Sequence, residues 1–131
     1  MIIDANGAIA GRLASFAAKK ALQGEDIFII NSEKAIVSGN KQNIVEKYRR
    51  QRQRGGNALK GPNYPRSAER ILKRMVRGML PDFRRGNGRM AFKRIKCYIG
   101  VPKEFENQKH IKTGKEKTEP FVELSEVSKL I

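Results

Sequence analysis

Between Met1 and Asn31 the residues alternate in the order strand, helix, strand, and this restricts the fold more than any other feature of the chain. "MIID" (Met1–Asp4) is a short buried strand that Asn6-Gly7 breaks. "AIAGRLASFAAKKALQG" follows with Ile9, Leu13, Phe16 and Ala17 at helical spacing and Gly24 as its stop. "DIFIIN" (Asp26–Asn31) is then a continuous apolar run, the pattern of a strand covered on both faces. Two such strands around one helix predict a βαβ unit with a right-handed crossover. "AIVSG" (Ala35–Gly39) predicts a short third strand, and "KCYIGV" (Lys96–Val101) a further one that completes the sheet.

Two more helices are expected. One starts near Asn40 and runs through "KQNIVEKYRRQRQR", with Ile44, Val45 and Tyr48 on its apolar face and a tail that carries only Arg and Gln. Such a tail has little to fold against and is marginal by propensity alone. Gly55–Pro65 is a Gly/Pro-punctuated loop. The other helix begins near Ser67: Ile71, Leu72, Met75, Val76 and Met79 share one side, and Arg70, Lys73, Arg74 and Arg77 the opposite one. Gly78 and Pro81 end it, and "MAFKRI" predicts a helical turn. The C-terminal part, residues 102–131, combines a Gly/Lys/Glu-rich connector with a short amphipathic end that docks on the body or on neighbours. At 131 residues, with 39% hydrophobic residues, a single domain spanning 1–131 is expected.

Charge is the second constraint. Residues 1–44 carry a net charge of +1, residues 45–96 carry +14, and residues 97–131 are neutral. The central segment holds 12 of the 13 arginines. Like charge packed this densely opposes a compact state unless a counter-polyanion offsets it. Solubility does not call for arginine in particular, whereas its fork fits phosphate oxygens and its plane stacks on rings. A nucleic-acid partner is therefore expected for segment 45–96. The candidate contacts are Arg49, Arg50, Arg52, Arg54, Lys60, Arg66, Arg70, Arg74, Arg77, Arg84, Arg85, Arg89, Lys93 and Arg94, with Tyr48 and Tyr64 for a base or sugar. Phe92 is expected in the core. In "GMLPDFRRGNGR" (Gly78–Arg89) the glycines allow close approach to a phosphate and expose N–H donors. Composition does not separate RNA from DNA. With no single-strand RNP pattern, KH-type GxxG or zinc-finger spacing, the segment favours the shape and backbone of a folded RNA.

Catalytic chemistry finds little support. The turn "NGAIAGRLAS" has two glycines where a dinucleotide fingerprint needs three, and three residues between them where a P-loop needs four. It reads as a tight turn with close helix packing. His110 is the only histidine and lacks an orienting carboxylate beside it; Cys97 is the only cysteine and sits in an apparent strand. Together they cannot make a zinc set. No enzyme activity, cofactor, metal, small-molecule substrate or membrane segment is expected, and the lone cysteine suggests a reducing, intracellular home. A phosphate-ester enzyme using the first βα turn and a free-standing nucleic-acid-compacting protein are the rival readings.

Four stretches, "DANGAIAGRLAS" (Asp4–Ser15), "IINSEKAIVSGNK" (Ile29–Lys41), "RGMLP" (Arg77–Pro81) and "GNGRMAFKRIKCYIG" (Gly86–Gly100), resemble the ribosomal large-subunit protein L13 family over nearly the whole chain. The resemblance implies a three-layer α/β/α domain with a short, mainly parallel sheet and a basic helical and loop extension. It implies a non-catalytic ribosomal constituent in the cytoplasm, bound to large-subunit ribosomal RNA and neighbouring ribosomal proteins. It also implies that Arg84, Arg85, Arg89 and the end of the second helix lie at the RNA surface. Where the bacterial pattern has an insertion before the second strand, this chain has only "LQGED". "VPKEFENQK" replaces a bacterial His-Pro-His segment, and both departures imply the archaeal or eukaryotic branch.

Overall fold

A computed structural model describes residues 1–53, 64–112 and 120–131. Strand β1 (Ile2–Asp4) leads to helix α1 (Ala10–Leu22) and returns as β2 (Ile27–Ile30), which pairs with β1 in parallel register, Ile3 opposite Ile29. Strand β4 (Ile95–Cys97) extends the sheet beyond β2, and β5 (Ile111–Lys112) extends it beyond β1. The order is β4-β2-β1-β5, parallel throughout.

The continuous apolar run of β2 is explained by its two neighbours. Ile27 and Ile29 point with Ile3 into the main core under α1, α3 (Ala68–Gly78) and α4 (Gly86–Arg94). Ile30 and Phe28 point with Ile2 to the other face, where Phe105 from a 3-10 turn at Lys103–Phe105 covers them. Phe105 stacks obliquely on Phe28 at 5.0 Å and on Tyr98 at 5.7 Å. This is the expected three-layer α/β/α arrangement, with the layer opposite the main helices reduced, among the described residues, to that turn and its aromatic rings. The helical side is built tightly on alanine: Ala14, Ala17 and Ala21 of α1 are fully buried, which lets α3 and α4 approach it.

Strand β3 (Ile36–Ser38) falls inside the stretch that predicts a third strand, but it leaves the main sheet. It pairs antiparallel with β6 (Phe121–Glu123), Val37 opposite Val122. The physical reason is the C-terminal segment: Val122, Leu124 and Val127 are buried, so β6 and helix α5 (Leu124–Leu130) extend the core sideways and take β3 with them. Helix α2 (Lys41–Gln53) closes this side through Ile44 and Val45. The "KCYIGV" strand is shorter than expected. The regular strand ends at Cys97, with Tyr98 N–H still donating to the Ile29 carbonyl at 2.8 Å, and Gly100, at φ 69°, bends the chain back so that Asn31 N–H donates to its carbonyl at 2.9 Å.

At the first βα turn, Gly7 has φ 73° and its N–H donates to the Lys34 carbonyl at 3.2 Å. This is the tight turn the sequence predicts. Gly11 is not a close-packing glycine, because a Cβ there meets no atom within 4 Å. The carboxyl edge of the sheet, where open α/β folds hold ligands, is tied up by its own groups. The Asp4 carboxylate accepts from Asn6 N–H and Asn31 Nδ2, both at 3.0 Å, and Glu33 accepts from Gly100 N–H at 3.1 Å.

Candidate nucleic-acid interface

Helix α3 is the backbone of the cationic surface. Ile71, Leu72 and Val76 anchor it in the core, and its other side carries Arg70, Lys73, Arg74 and Arg77. Met79, expected on the apolar side, is instead 45% exposed, because it is the residue that ends the helix. Three of these cations lie over aromatic rings. Arg74 sits 4.0 Å from the Tyr64 ring centre, Arg77 4.5 Å from Phe83, and Lys73 5.0 Å from Phe92. Arg84 approaches the same Phe83 ring at 5.3 Å, and Phe83 meets Phe92 edge-to-face at 5.9 Å. Rings of this kind attract cations and fix their planes without neutralising them. Phe92 is therefore not a core residue as expected. It is half-buried, its ring shared between Phe83 and Lys73.

The charges in this patch oppose one another. Burial depresses the Arg77 pKa, and the neighbouring Arg74 and Arg84 guanidinium groups depress it further. A groove of about 240 Å³ runs across it, lined by Pro65, Arg70, Lys73, Arg74, Arg77 and Phe92, with no carboxylate among them.

The turn between α3 and α4, with the first turn of α4, presents the next three arginines. Asp82 organises it: its carboxylate accepts from Arg84 N–H at 3.0 Å and its carbonyl from Arg85 N–H at 3.3 Å. Gly88 is buried because α4 rests directly on this turn, and a Cβ there would fall onto the carbonyl oxygens of Pro81 and Asp82. That glycine serves internal packing rather than approach to a phosphate. Arg84, Arg85 and Arg89 are exposed, and Arg85 lies 3.8 Å from the Asp82 carboxylate. The first turn of α4 has no acidic residue and no side-chain cap, so its positive end adds to the same field.

The remaining candidates divide. Arg50 and Arg52 are exposed on α2, Arg50 bonded to Glu46 one turn earlier at 3.0 Å, and Lys93 is exposed on α4. Arg49 donates to the Leu130 carbonyl at 2.8 Å and Arg66 to the Ser128 carbonyl at 3.1 Å, both at the C-terminal end of α5. Arg94 donates to Ala21 at the end of α1 at 3.1 Å. These three meet the negative ends of helices within the protein, a role that composition cannot distinguish from phosphate binding. Tyr48 is half-buried against the core, and burial raises its pKa; Tyr64 is half-buried beside Arg74. Arg54 and Lys60 lie outside the described residues, as does most of the Gly55–Pro65 loop. Lys73 and Phe83 were missing from the sequence candidates. Their signal was available, since Lys73 shares the polar side of α3 and Phe83 precedes the paired arginines.

Fold and surface together define a small, mainly parallel α/β protein with an arginine-rich, aromatic-supported face. A sequence model for the family described as ribosomal protein L13 matches residues 1–104. The chain is 44% identical over 97% of its length to a large ribosomal subunit protein uL13 of Methanosarcina barkeri, covering 94% of that protein. It is 43% identical over 98% of its length to the protein of the same name in Methanocaldococcus jannaschii, of which it covers 94%. With the Methanopyrus kandleri protein it shares 51% identity over 78% of its length and 63% of the relative's. The chain belongs to the ribosomal protein L13 family, and these archaeal relatives accord with the branch implied by its two departures from the bacterial pattern.

Proposed function

We propose that this protein is a structural, non-catalytic constituent of the large ribosomal subunit that clamps ribosomal RNA through its arginine-rich face. The relatives' shared name supports the ribosomal part of the reading. The observation that carries the clamping part is the groove along α3, where four cations meet with no carboxylate lining it among the described residues, and where burial and then the like charges of Arg74 and Arg84 disfavour the Arg77 cation. An external polyanion relieves that repulsion, and each phosphate neutralised releases counterions. Arg84 and Arg85 extend the contact from the α3–α4 turn, Arg89 from the first turn of α4, and Arg50 and Arg52 from α2. Lys93, exposed on α4, adds to the same face.

A phosphate-ester enzyme at the first βα turn is disfavoured by the use of Gly7 N–H, Asp4 and Glu33 in internal hydrogen bonds. The test is sedimentation of a cell extract after a moderate salt wash. Recovery with the large subunit supports the proposal, and recovery only in the unbound fraction overturns it. A free-standing nucleic-acid-compacting protein would instead bind duplex DNA and ribosomal RNA equally.

A further inference from the structure

We propose that the cleft between α2, α3 and the C-terminal Ile131 is a slot for one unstacked RNA base, held against the Tyr64 ring and the Arg74 guanidinium; this rests on the ribosomal-RNA reading above. The cleft measures about 170 Å³, the space that one flat ring occupies. Its floor is Ile71 and its sides include Tyr48, Met75 and Ile131, so its lining is chiefly apolar. Tyr64 and Arg74 both line it, and the Arg74 guanidinium carbon lies over the Tyr64 ring, 4.0 Å from its centre. A base entering the cleft adds a third layer to that stack, the contact by which single-stranded RNA bases are held on aromatic and guanidinium planes.

The occupant is identified by what adjoins the slot. Pro65 and Arg74 also line the cationic groove along α3. An apolar slot and a cationic groove that share two residues are what a single nucleotide requires: the base enters one and its phosphate lies in the other. An apolar side chain of a protein partner would use the slot and make no use of the adjoining cationic groove.

The test is binding of the full chain to deproteinised large-subunit ribosomal RNA across a salt series. Tyr64→Ala and Tyr64→Leu should weaken binding roughly 5- to 150-fold, the range that corresponds to about 1–3 kcal/mol for loss of one stacked base. Tyr64→Phe should bind within about twofold of wild type, because it keeps the ring. The slope of log affinity against log salt should stay unchanged in all three, since no charge is removed. Ultraviolet irradiation of the wild-type complex should crosslink a nucleotide to Tyr64. The leucine variant keeps apolar volume in the slot, so the test survives if the alanine variant fails to fold. Wild-type affinity in Tyr64→Leu overturns the slot while leaving the clamp intact, and points to a protein side chain as occupant. Failure of the wild-type chain to bind this RNA overturns the reading on which the slot rests.

Discussion

Replacing Gly88 by alanine tests whether the seating of α4 on the turn that bears Arg84 and Arg85 is set by internal packing. The new methyl group would lie on the carbonyl oxygens of Pro81 and Asp82, well inside contact distance. Neither oxygen can rotate away as a side chain would, and Asp82 is held by its bonds from the Arg84 and Arg85 N–H groups. Relief therefore requires α4 to move off the turn, while fully buried Ala91 holds α4 in the core. Overpacking of this kind costs about 1–3 kcal/mol. For a domain of this size about 4 °C is lost per kcal/mol, which gives a fall of roughly 4–12 °C in the thermal midpoint. Circular dichroism of the free protein reads it directly. Gly11→Ala is the matched control: Gly11 is exposed in α1 and a Cβ there meets nothing within 4 Å. Alanine should leave that midpoint unchanged or raise it by up to about 4 °C, because it favours helix by up to ~1 kcal/mol over glycine. A Gly88→Ala protein that melts at or above the wild-type temperature would refute the packing argument.

Other arginines should separate by role. Arg50→Ala with Arg52→Ala should reduce the salt slope of RNA binding by about 1–2 units and lower the free protein's midpoint by no more than about 2 °C, since an exposed pair one helical turn apart contributes only ~0.3–0.5 kcal/mol. Arg49→Ala and Arg66→Ala should each lower the midpoint by about 2–6 °C, from loss of a hydrogen bond contributing ~0.5–1.5 kcal/mol at the end of α5, as differential scanning calorimetry would show. Burial pushes the Cys97 thiol up to about 12. Its neutral form is favoured in the folded state, so its contribution to stability is complete below its ordinary value of 9.0 and is lost as pH rises toward about 12. Iodoacetamide at pH 8 should label it in urea far faster than in the native protein.

Much of the fold was legible because its signals are local. The apolar run of β2 reflects burial on both faces, and the helical spacing of Ile71, Leu72 and Val76 marks the buried side of α3. What was not legible depends on residues distant in sequence. Val122 draws β3 out of the main sheet, and no local property of "AIVSG" records that partner. Phe92 is apolar in a basic stretch, which suggests core; only Phe83 and Lys73 arriving from elsewhere make it a surface ring. The arginines show the same limit. Their clustering announces a polyanion-binding face, yet Arg49, Arg66 and Arg94 reach carbonyls 81, 62 and 73 residues away in sequence. Gly88 reads as a loop glycine until the turn folds beneath it.

The central claim, that the cationic face is completed by RNA phosphates, is tested most directly by the salt dependence of binding. The wild-type chain and an Arg84→Ala, Arg85→Ala, Arg89→Ala triple variant would be titrated onto deproteinised large-subunit ribosomal RNA between about 50 and 200 mM salt. Removal of three phosphate contacts should make the slope of log affinity against log salt shallower by about 2–3 units. A triple variant whose slope equals that of wild type would contradict the account.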